Sequence, residues 1–578
     1  MSAPTANQGA ENQGGESQGK GTDPGGHAGH QQHPRGLYTL FGAEAWERFS
    51  YYGMRALLVL YMTKHLKFER KDALAVYAFY TGLVYLTPIA GGWLADKLLG
   101  RRKAVLIGGI VMGLGQLTLS FEKLLYVGLG LLIIGNGFFK PNISTIVGGL
   151  YKDDDPRRDG GFTIFYMGIN LGAFFSPLIC GNLGENVGWK WGFGSAAIGM
   201  AFGLAQFTWG QKWLGRVGLP PRREIAKTGT PPYREGEHDE QGPSVLVGKD
   251  YLDVLIWVAG SVSLVLVVLK VGRIVAPAFA ATPLAIKVAA ALGALGVVFW
   301  QLYKGSTREE VQRVTVIIIL CVFNIFFWMG FEQAGGTMTL FADKQTNREI
   351  SGLGMMLIGL VIGAGAINIW NSTKTERSGR GLWIFLTGLF GLAAIVNMGW
   401  GGRLLAAGKT FLMPASQFQS INPLLIVVLA PTFSNMWERL DSNPRTKTST
   451  PTKMSIGMVI LGLGFVVMFL GQRLAANGPV SPLWLTAVYA IHTTGELCLS
   501  PIGLSMVTKL APSRVVSLAM GLWFMSSFFA NLAAGLLEGW LESFHVPIYG
   551  FLIFSSIGPA ILLLALTPLL KKWMHGRA

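Results

Sequence analysis

Long apolar stretches recur along almost the whole chain, and they limit the possible folds more than any other feature. Sixteen of them follow one another after about residue 36, and nearly all approach or exceed the roughly 20 residues with which a helix crosses a bilayer. Within lipid every backbone polar group must be satisfied by the chain itself, which favours helices. We therefore predict an all-α polytopic membrane protein. The spans lie near 37–66, 73–98, 102–121, 124–150, 161–184, 189–214, 251–270, 283–304, 309–341, 353–371, 381–400, 419–440, 454–473, 482–508, 513–541 and 548–571.

The composition agrees with this prediction and argues against a soluble enzyme. Of 578 residues, 51% are hydrophobic and 14% are charged. The net charge of +16 does not indicate a nucleic-acid partner, because the basic excess lies mainly in loops between spans, where it orients the protein. We expect a multi-pass protein of the inner (plasma) membrane with both termini in the cytoplasm. The basic segments assigned to the inside are 101–103, 152–158, 215–250, 439–453 and 571–572.

Polar segments and charge-free spans divide the chain into units. Residues 1–35 are rich in Gly, Gln, Ser and His, and they are predicted to be a disordered tail. The polar stretch 215–250 is predicted to be a cytoplasmic linker between two bundles. The spans in 251–304 and 351–401 carry almost no charge in mid-span, so we interpret them as inserted helix pairs that do not contribute to binding. Six spans then remain in each bundle, the first formed by 36–214 and the second by 305–350 with 402–578.

Charged residues in the first span are the strongest indication of function. Glu44, Glu47, Arg48 and Arg55 lie within an apolar run, where each charge costs about 2.5–3.5 kcal/mol on insertion scales. Together with the tyrosines at 51 and 52 they recur at steps of three and four, so a helix presents most of them as one stripe roughly 16 Å long. The stripe must face a polar cavity or partner charges. Two interpretations remain, a buried structural salt-bridge network and a site for binding and ion coupling.

Other polar side chains lie at depth in later spans. Lys140 precedes a proline in the fourth span, and its natural counter-charges are Glu44 and Glu47. Asn170 in the fifth span suits hydrogen bonding to a ligand, with helix–helix hydrogen bonding as the alternative. The second half of the chain buries two carboxylates, an amide and an aromatic–hydroxyl pair, namely Glu332, Glu496, Asn422, and Trp523 with Ser527.

Four separated motifs carry a resemblance to known proteins. They are Glu-x-x-Glu-Arg-Phe-x-Tyr-Tyr-Gly from 44, Ala-Asp-x-x-x-Gly-Arg-Arg from 95, Phe-Tyr-x-x-Ile-Asn-x-Gly from 165 and Gly-Glu-x-x-x-Ser-Pro-x-Gly-Leu-Ser from 495. The second resembles the cytoplasmic loop of the major facilitator superfamily, in which Asp96 would meet arginines or a helix N-terminus. Taken together, over about 37–570, the motifs resemble the proton-dependent oligopeptide transporter family.

The resemblance implies a major facilitator fold, with two six-helix bundles around a central site. Bacterial members have one extra helix pair between the bundles, which matches 251–304, whereas the second pair departs from that pattern. The implied function is a proton-coupled symporter that imports di- and tripeptides by alternating access. The alternative is a transporter of the same fold for another solute, such as nitrate, a drug or a peptide-like antibiotic.

The resemblance also implies roles for particular residues. Arg55 and Lys140 would bind the peptide carboxylate, and Glu496 would bind its amine. The remaining binding residues would be Tyr51, Tyr52 and Tyr85 beside the carboxylate, Asn170 and Asn422 on backbone amides, and Trp328, Trp523 and Ser527 in side-chain pockets. Proton coupling would involve Glu44, Glu47, Arg48 and Lys140, with Glu332 paired to Arg55. Animal members carry a histidine where this chain has Ala78, so a histidine-based coupling scheme does not transfer.

An imbalance of intramembrane charge supports proton coupling independently. Four carboxylates at 44, 47, 332 and 496 face three bases at 48, 55 and 140, which leaves one carboxylate in surplus. A zwitterionic peptide adds one charge of each sign and does not remove the surplus, whereas protonation of one glutamate does.

Other functional classes find little support. The three cysteines, Cys180, Cys321 and Cys498, all fall within spans and indicate neither disulfides nor a metal site. The spans show no paired catalytic carboxylates and no nucleophile with its base, and no soluble signalling domain is attached. We therefore expect neither an enzyme nor a receptor, and no metal or cofactor apart from the proton as coupling ion. The expected partners are di- and tripeptides, protons and lipids but no nucleic acid, for a chain that acts as a monomer.

Overall fold

Helices form almost the entire structure. The computed structural model describes residues 32–152, 155, 157–219, 246, 248–281, 283–375, 380–443, 446–499, 503–512 and 515–576. Most of the predicted tail, most of the linker 215–250 and the proline motif at 500–502 lie outside the described residues. Two short strands, β1 (Glu349–Ser351) and β2 (Thr410–Leu412), pair antiparallel with Ile350 opposite Phe411.

Sixteen of the described helices have 18 residues or more, and one overlaps each predicted span. The first bundle contains α1 (Arg35–Leu60), α2 (Arg70–Leu94), α3 (Arg101–Leu119), α4 (Leu125–Gly149), α5 (Arg158–Ser176) and α6 (Trp189–Gly210). The first inserted pair is α7 (Gly248–Ala281) and α8 (Leu284–Tyr303). The chain continues with α9 (Arg308–Phe331) and the short α10 (Thr337–Lys344), and the second inserted pair is α11 (Gly352–Thr375) and α12 (Arg380–Ala406). The second bundle is completed by α13 (Ile421–Ser442), α14 (Thr450–Leu474), α15 (Pro482–Leu499), the short α16 (Gly503–Leu510), α17 (Val516–Glu542) and α18 (Ile548–Trp573).

The prediction of an all-α polytopic membrane protein is confirmed. Among the described residues, twelve helical segments are both long enough and apolar enough to cross a membrane. The sequence predicts sixteen spans, and α1 is one of the helices that are not among the twelve. Its four charges lower its hydropathy, yet most of its residues are buried against neighbouring helices, chiefly α5 and α6. A helix surrounded by protein does not need the apolar surface that lipid requires.

The two bundles meet along two pairs of helices. On one side α2 packs along α17, and on the other α5 packs against α13. The closest approach of the first pair is between Ala78 and Gly535, where an added Cβ at Gly535 would lie 2.5 Å from the Cβ of Ala78. The absence of a side chain at Gly535 therefore lets the two helices approach closely.

The two inserted pairs occupy different positions. Helix α7 packs on α3 and α4, and Lys103 anchors it through Asp250 at 3.0 Å and Asp253 at 2.7 Å. Helices α11 and α12 pack on each other, α11 packs against α13, and the ring of Phe390 on α12 stacks on Phe174 of α5. The first pair also reaches the second bundle, because Leu302 on α8 packs against Val314 on α9 and the Tyr303 hydroxyl lies 2.9 Å from Thr315 Oγ1. Both pairs therefore contact both bundles.

Candidate functional site

A cavity of about 290 Å³ lies between the two bundles. Helices α1, α2, α4 and α5 line it from the first bundle, and α9, α13 and α15 line it from the second. Small-molecule sites span roughly 300–1,000 Å³, so the cavity suits a small solute. Eleven of the residues predicted for binding or proton coupling line it, namely Glu44, Arg48, Tyr52, Arg55, Tyr85, Lys140, Asn170, Trp328, Glu332, Asn422 and Glu496.

The charged stripe of α1 forms a compact cluster at the cavity wall. The Nε of Arg48 lies 3.1 Å from Glu44 Oε1 and also donates to Glu47 Oε2. All three side chains are almost completely buried, and Glu47 is fully so. One guanidinium therefore serves two carboxylates, and the cluster carries one net negative charge when both glutamates are ionised.

Arg55, about two turns beyond Arg48 along the stripe, joins the two bundles. Its Nη2 forms an ion pair with Glu332 Oε2 at the end of α9, and its Nε donates to the Tyr77 hydroxyl at 2.6 Å. Both charged side chains are buried, at 10% and 6% exposure, so each charge is stabilised by its partner rather than by water. The charge of Arg55 is thus already neutralised in this structure.

Lys140 reaches the cavity from α4 without such a neutralising partner. Its Nζ lies 4.7 Å from the centroid of the Tyr85 ring on α2, within the range of a cation–π interaction. In the part of the chain that the structure describes, Lys140 forms no salt bridge. A positive charge therefore faces the cavity from the first bundle.

Glu496 faces the same cavity from the second bundle. Its Oε2 accepts a hydrogen bond from Asn422 Nδ2 at 2.8 Å, and the same amide also donates to Thr493 Oγ1 at 3.0 Å. No basic residue among those described pairs with Glu496. Because Lys140 and Glu496 come from opposite bundles, the cavity presents opposite unpaired charges on its two walls.

Four predicted site residues lie outside the lining of this cavity. Tyr51 turns toward Tyr80, with ring centroids 6.4 Å apart, and Glu47 lies fully buried beside Arg48. Trp523 belongs to the apolar core, where α17 packs against α9, and Ser527 follows it one turn later on the same helix. The side-chain pocket predicted from Trp523 and Ser527 is therefore not part of the cavity in this conformation.

Several residues that line the cavity were not predicted from the sequence. Tyr489 and His492 line the cavity and precede Glu496 on α15 by seven and four residues, so helical spacing from a known site residue would have found them. The same spacing relates Tyr166 to Asn170 on α5. Gln419 precedes α13, and no local pattern in the sequence distinguishes it.

Ion pairs connect the bundles at one end of the molecule. We call the end at which α1 begins the near end, and the end at which it finishes, close to His65, the far end. At the far end Lys64 lies 2.5 Å from Asp343, and Arg70 lies 2.5 Å from Glu538. Each pair joins the first bundle to the second and closes the far end of the cavity.

Glu185 adds a further connection at the far end. Its carboxylate accepts hydrogen bonds from the backbone of Ala415 at 3.1 Å and of Ser416 at 2.9 Å, and from the Ser416 hydroxyl at 2.6 Å. Arg348, which pairs with Asp343 at 3.3 Å, lies 3.8 Å from the same carboxylate. A carboxylate from the first bundle thus caps the helical turn that leads into α13 in the second.

At the near end, the ion pairs that the structure describes do not connect the two bundles. Asp96, in the loop motif, is 56% exposed and pairs with Arg101 at 3.2 Å in the same loop. Asp441 pairs with Lys453 at 2.6 Å within the second bundle. Hydrogen bonds from the Arg157 guanidinium lower the pKa of Asp155 to about 2, and this pair also stays within the first bundle. Among the ion pairs that the structure describes, those that close an end of the cavity therefore lie at the far end.

Comparisons with known proteins agree with this architecture. Residues 102–226 and 400–552 match the family model described as POT family. The peptide transporter YePEPT of Yersinia enterocolitica is 34% identical over 93% of this chain and 94% of that protein. The uncharacterized transporter YclF of Bacillus subtilis is 32% identical over 94% of this chain and 96% of that protein.

Solved structures are similar over the same extent. A crystal structure of a peptide transporter POT in complex with sulfate superposes with a TM-score of 0.68 at 32% identity, covering 94% of this chain and 96% of that one. A POT family transporter in complex with a thioalcohol-conjugated peptide gives a TM-score of 0.68 at 29% identity, covering 93% and 97%. Both cover nearly the full length of the present chain.

Proposed function

Because the chain belongs to the POT family of transporters, we propose that it imports di- and tripeptides together with protons by alternating access. One observation carries the peptide part of this proposal. Lys140 and Glu496 face one small cavity from opposite bundles, and among the described residues neither has an ionic partner. A short peptide with free termini carries one charge of each sign and would neutralise both.

The assignment of the peptide ends follows from the sign of each charge. The carboxylate would bind Lys140, since Arg55 is already paired with Glu332 and has less charge to offer. The amine would bind Glu496, which retains acceptor capacity beyond its bond from Asn422. Asn170 and Asn422 lie on the adjacent helices α5 and α13 and offer amide groups to the peptide backbone between the two ends.

Proton coupling is supported by the cluster on α1. Arg48 neutralises one of the two carboxylates of Glu44 and Glu47, and the second leaves a net negative charge. A zwitterionic peptide does not change that net charge, whereas one proton on the cluster removes it. We infer that the transported proton resides on this pair of glutamates while the peptide is bound.

The arrangement of the ion pairs supports alternating access. With both termini in the cytoplasm, as the basic loops predict, the near end faces the cytoplasm and the far end faces outward. The structure then represents a form closed to the outside. Peptide entry requires that Lys64–Asp343, Arg70–Glu538 and the Glu185 cap separate.

Uptake into liposomes tests the proposal. Purified protein should accumulate a labelled dipeptide when an inward pH gradient is imposed, and a proton ionophore should abolish the accumulation. Exchange of labelled for unlabelled dipeptide without a gradient reports only peptide binding and the movement of the two bundles against each other. A solved relative at 28% identity holds 5-aminolevulinic acid, so this compound and nitrate serve as competitors. Strong competition by either, with no effect of di- or tripeptides, would overturn the peptide assignment.

A further inference from the structure

The second inserted pair is attached to α13 at a particular place. The Nδ2 of Asn368 on α11 donates a hydrogen bond to the backbone carbonyl of Val428, one turn before Pro431. Gly365, one turn earlier on α11, lies so close to α13 that an added Cβ would be 3.2 Å from Val428 Cγ2. Because a proline inside a helix removes one backbone donor and disturbs the turn before it, the Asn368 amide contacts α13 within the turn that Pro431 disturbs.

The other helix of the pair contacts the opposite bundle. Phe390 on α12 is 1% exposed, and its ring stacks on Phe174 of α5 with centroids 5.4 Å apart and an interplanar angle of 21°. Phe175 packs edge-on against the same ring at 6.3 Å. A peripheral, lipid-facing hairpin would not need a buried aromatic cluster of this kind with the opposite bundle.

The contacted segment of α5 is also interrupted by a proline. Pro177 follows the last residue of α5, and the Phe174 carbonyl accepts a hydrogen bond at 2.9 Å from Ser420 of the second bundle. The helices α5 and α13 supply Asn170 and Asn422 to the cavity wall. The pair α11–α12 therefore lies directly behind the wall at which the two bundles meet, and it contacts both wall helices close to their prolines.

We propose that α11–α12 is a brace that stabilises the form closed at the far end, and that Phe390 and Asn368 are positioning residues for the transport cycle. Asn368 fixes the pair to the second bundle, so a rotation of the bundles against each other must separate Phe390 from Phe174. The contact is therefore specific to one arrangement of the bundles. Losing it would depopulate the closed form without removing any group that touches the solute. The expected effect on transport rests on the proposed function, whereas the effect on conformation does not.

Peptide exchange provides the first test. Phe390→Ala should change the rate of dipeptide exchange in liposomes about fivefold, while the Kd for the dipeptide stays within about twofold. Phe390→Leu, which keeps most of the buried apolar volume, should restore the parent rate. Phe385→Ala is the matched control, because Phe385 lies on the same helix and is 62% exposed. Equal exchange rates in Phe390→Ala and Phe385→Ala would overturn the brace, and a tenfold loss of affinity would place Phe390 in the binding site instead.

A distance measurement tests the same proposal without any substrate. Lys123→Cys and Ser543→Cys place spin labels at exposed far-end positions on opposite bundles, and the three native cysteines are buried. Phe390→Ala should increase the population with the longer distance between labels, and Asn368→Leu should act in the same direction. If Phe390→Ala does not fold, the distance between the labels in Asn368→Leu tests the proposal instead. Unchanged distances in the folded variants would contradict the brace, whether or not the protein carries peptides.

Discussion

Lys64 and Asp343 lie 2.5 Å apart on opposite bundles, and they begin a chain of polar contacts that closes the far end of the cavity. Asp343 also pairs with Arg348, which lies 3.8 Å from Glu185, and Glu185 caps the turn at Ser416. The contacts return repeatedly from one bundle to the other. Opening the far end must therefore break several of them together, and their individual strengths differ.

Glu185 should matter more to far-end closure than Lys64. The Lys64 side chain is 38% exposed, and exposed ion pairs contribute roughly 0–1 kcal/mol, whereas hydrogen bonds to a buried charged group contribute about 1.5–3 kcal/mol. We expect Glu185→Ala to shift the far-end distance distribution toward the open form about tenfold, and Lys64→Met to shift it less than threefold. Glu185→Gln, which keeps a carbonyl acceptor for the backbone of Ser416, should fall between them. A larger shift in Lys64→Met than in Glu185→Ala would contradict this ranking.

Neutralising Glu47 should abolish coupling before it abolishes binding. Glu47 shares Arg48 with Glu44, so Glu47→Gln removes the surplus negative charge to which a proton would bind. Accumulation driven by a pH gradient should disappear, while dipeptide exchange without a gradient should stay within about threefold of the parent rate. Glu122→Gln, at an exposed far-end position, serves as the control. Normal gradient-driven accumulation by Glu47→Gln would remove the proposed role.

The peptide amine should be recognised through Glu496. We expect an N-acetylated dipeptide to bind at least tenfold more weakly than the free dipeptide, a difference of about 1.4 kcal/mol. In Glu496→Ala the two peptides should bind with similar affinity, because the group that distinguishes them is absent. Glu496→Gln keeps the contact with Asn422 while removing the charge, and it should also bind both peptides alike. Equal affinities of both peptides for the parent protein would show that Glu496 does not bind the amine.

His33 should make the stability of the protein depend on pH. Its Nδ1 lies 2.9 Å from the Tyr151 hydroxyl, and burial together with the Arg157 charge lowers the pKa of His33 below 6.5. The unfolded chain then binds the proton more readily than the folded one. The stabilisation is complete above pH 6.5 and is lost as the pH falls toward the folded pKa.

Thermal unfolding of parent and variant isolates this contribution. His33→Phe keeps an aromatic ring against Tyr151 but cannot titrate. The melting temperature of the parent should be higher than that of His33→Phe, and this difference should be largest at pH 7.5. It should become smaller when the pH is lowered to 5.5. A difference in melting temperature that grows on acidification would contradict the predicted direction of the pH dependence.

The fold and the charged part of the site could be predicted because their signals are local. Glu44, Arg48 and Arg55 recur at helical spacing within one apolar run, and such charges must face a cavity whatever the rest of the chain does. Trp523 shows the limit of this reasoning. An aromatic residue in an apolar span fits both a core and a pocket, and only the packing of α17 against α9 places it in the core.

Contacts between distant segments could not be predicted in the same way. The Glu185 carboxylate caps a turn about 230 residues later in the chain, and a single glutamate beside an asparagine gives no sign of its partner. In the sequence Phe390 is likewise one apolar residue among many, and only the structure shows that its ring stacks on Phe174. Both depend on how the bundles are docked, which no local pattern encodes.

The contact between Ala78 and Gly535 has a mechanical consequence. Two helices in such close contact cannot approach further, so in the proposed alternating-access cycle this point would act as the fulcrum about which α2 turns against α17. Ala78 lies eight residues from the start of α2 and sixteen from its end, which gives lever arms of about 12 Å and about 24 Å. For the same rotation the near end therefore moves about twice as far as the far end. The same rotation would therefore close a narrow opening at the far end while it produces a wider opening at the near end.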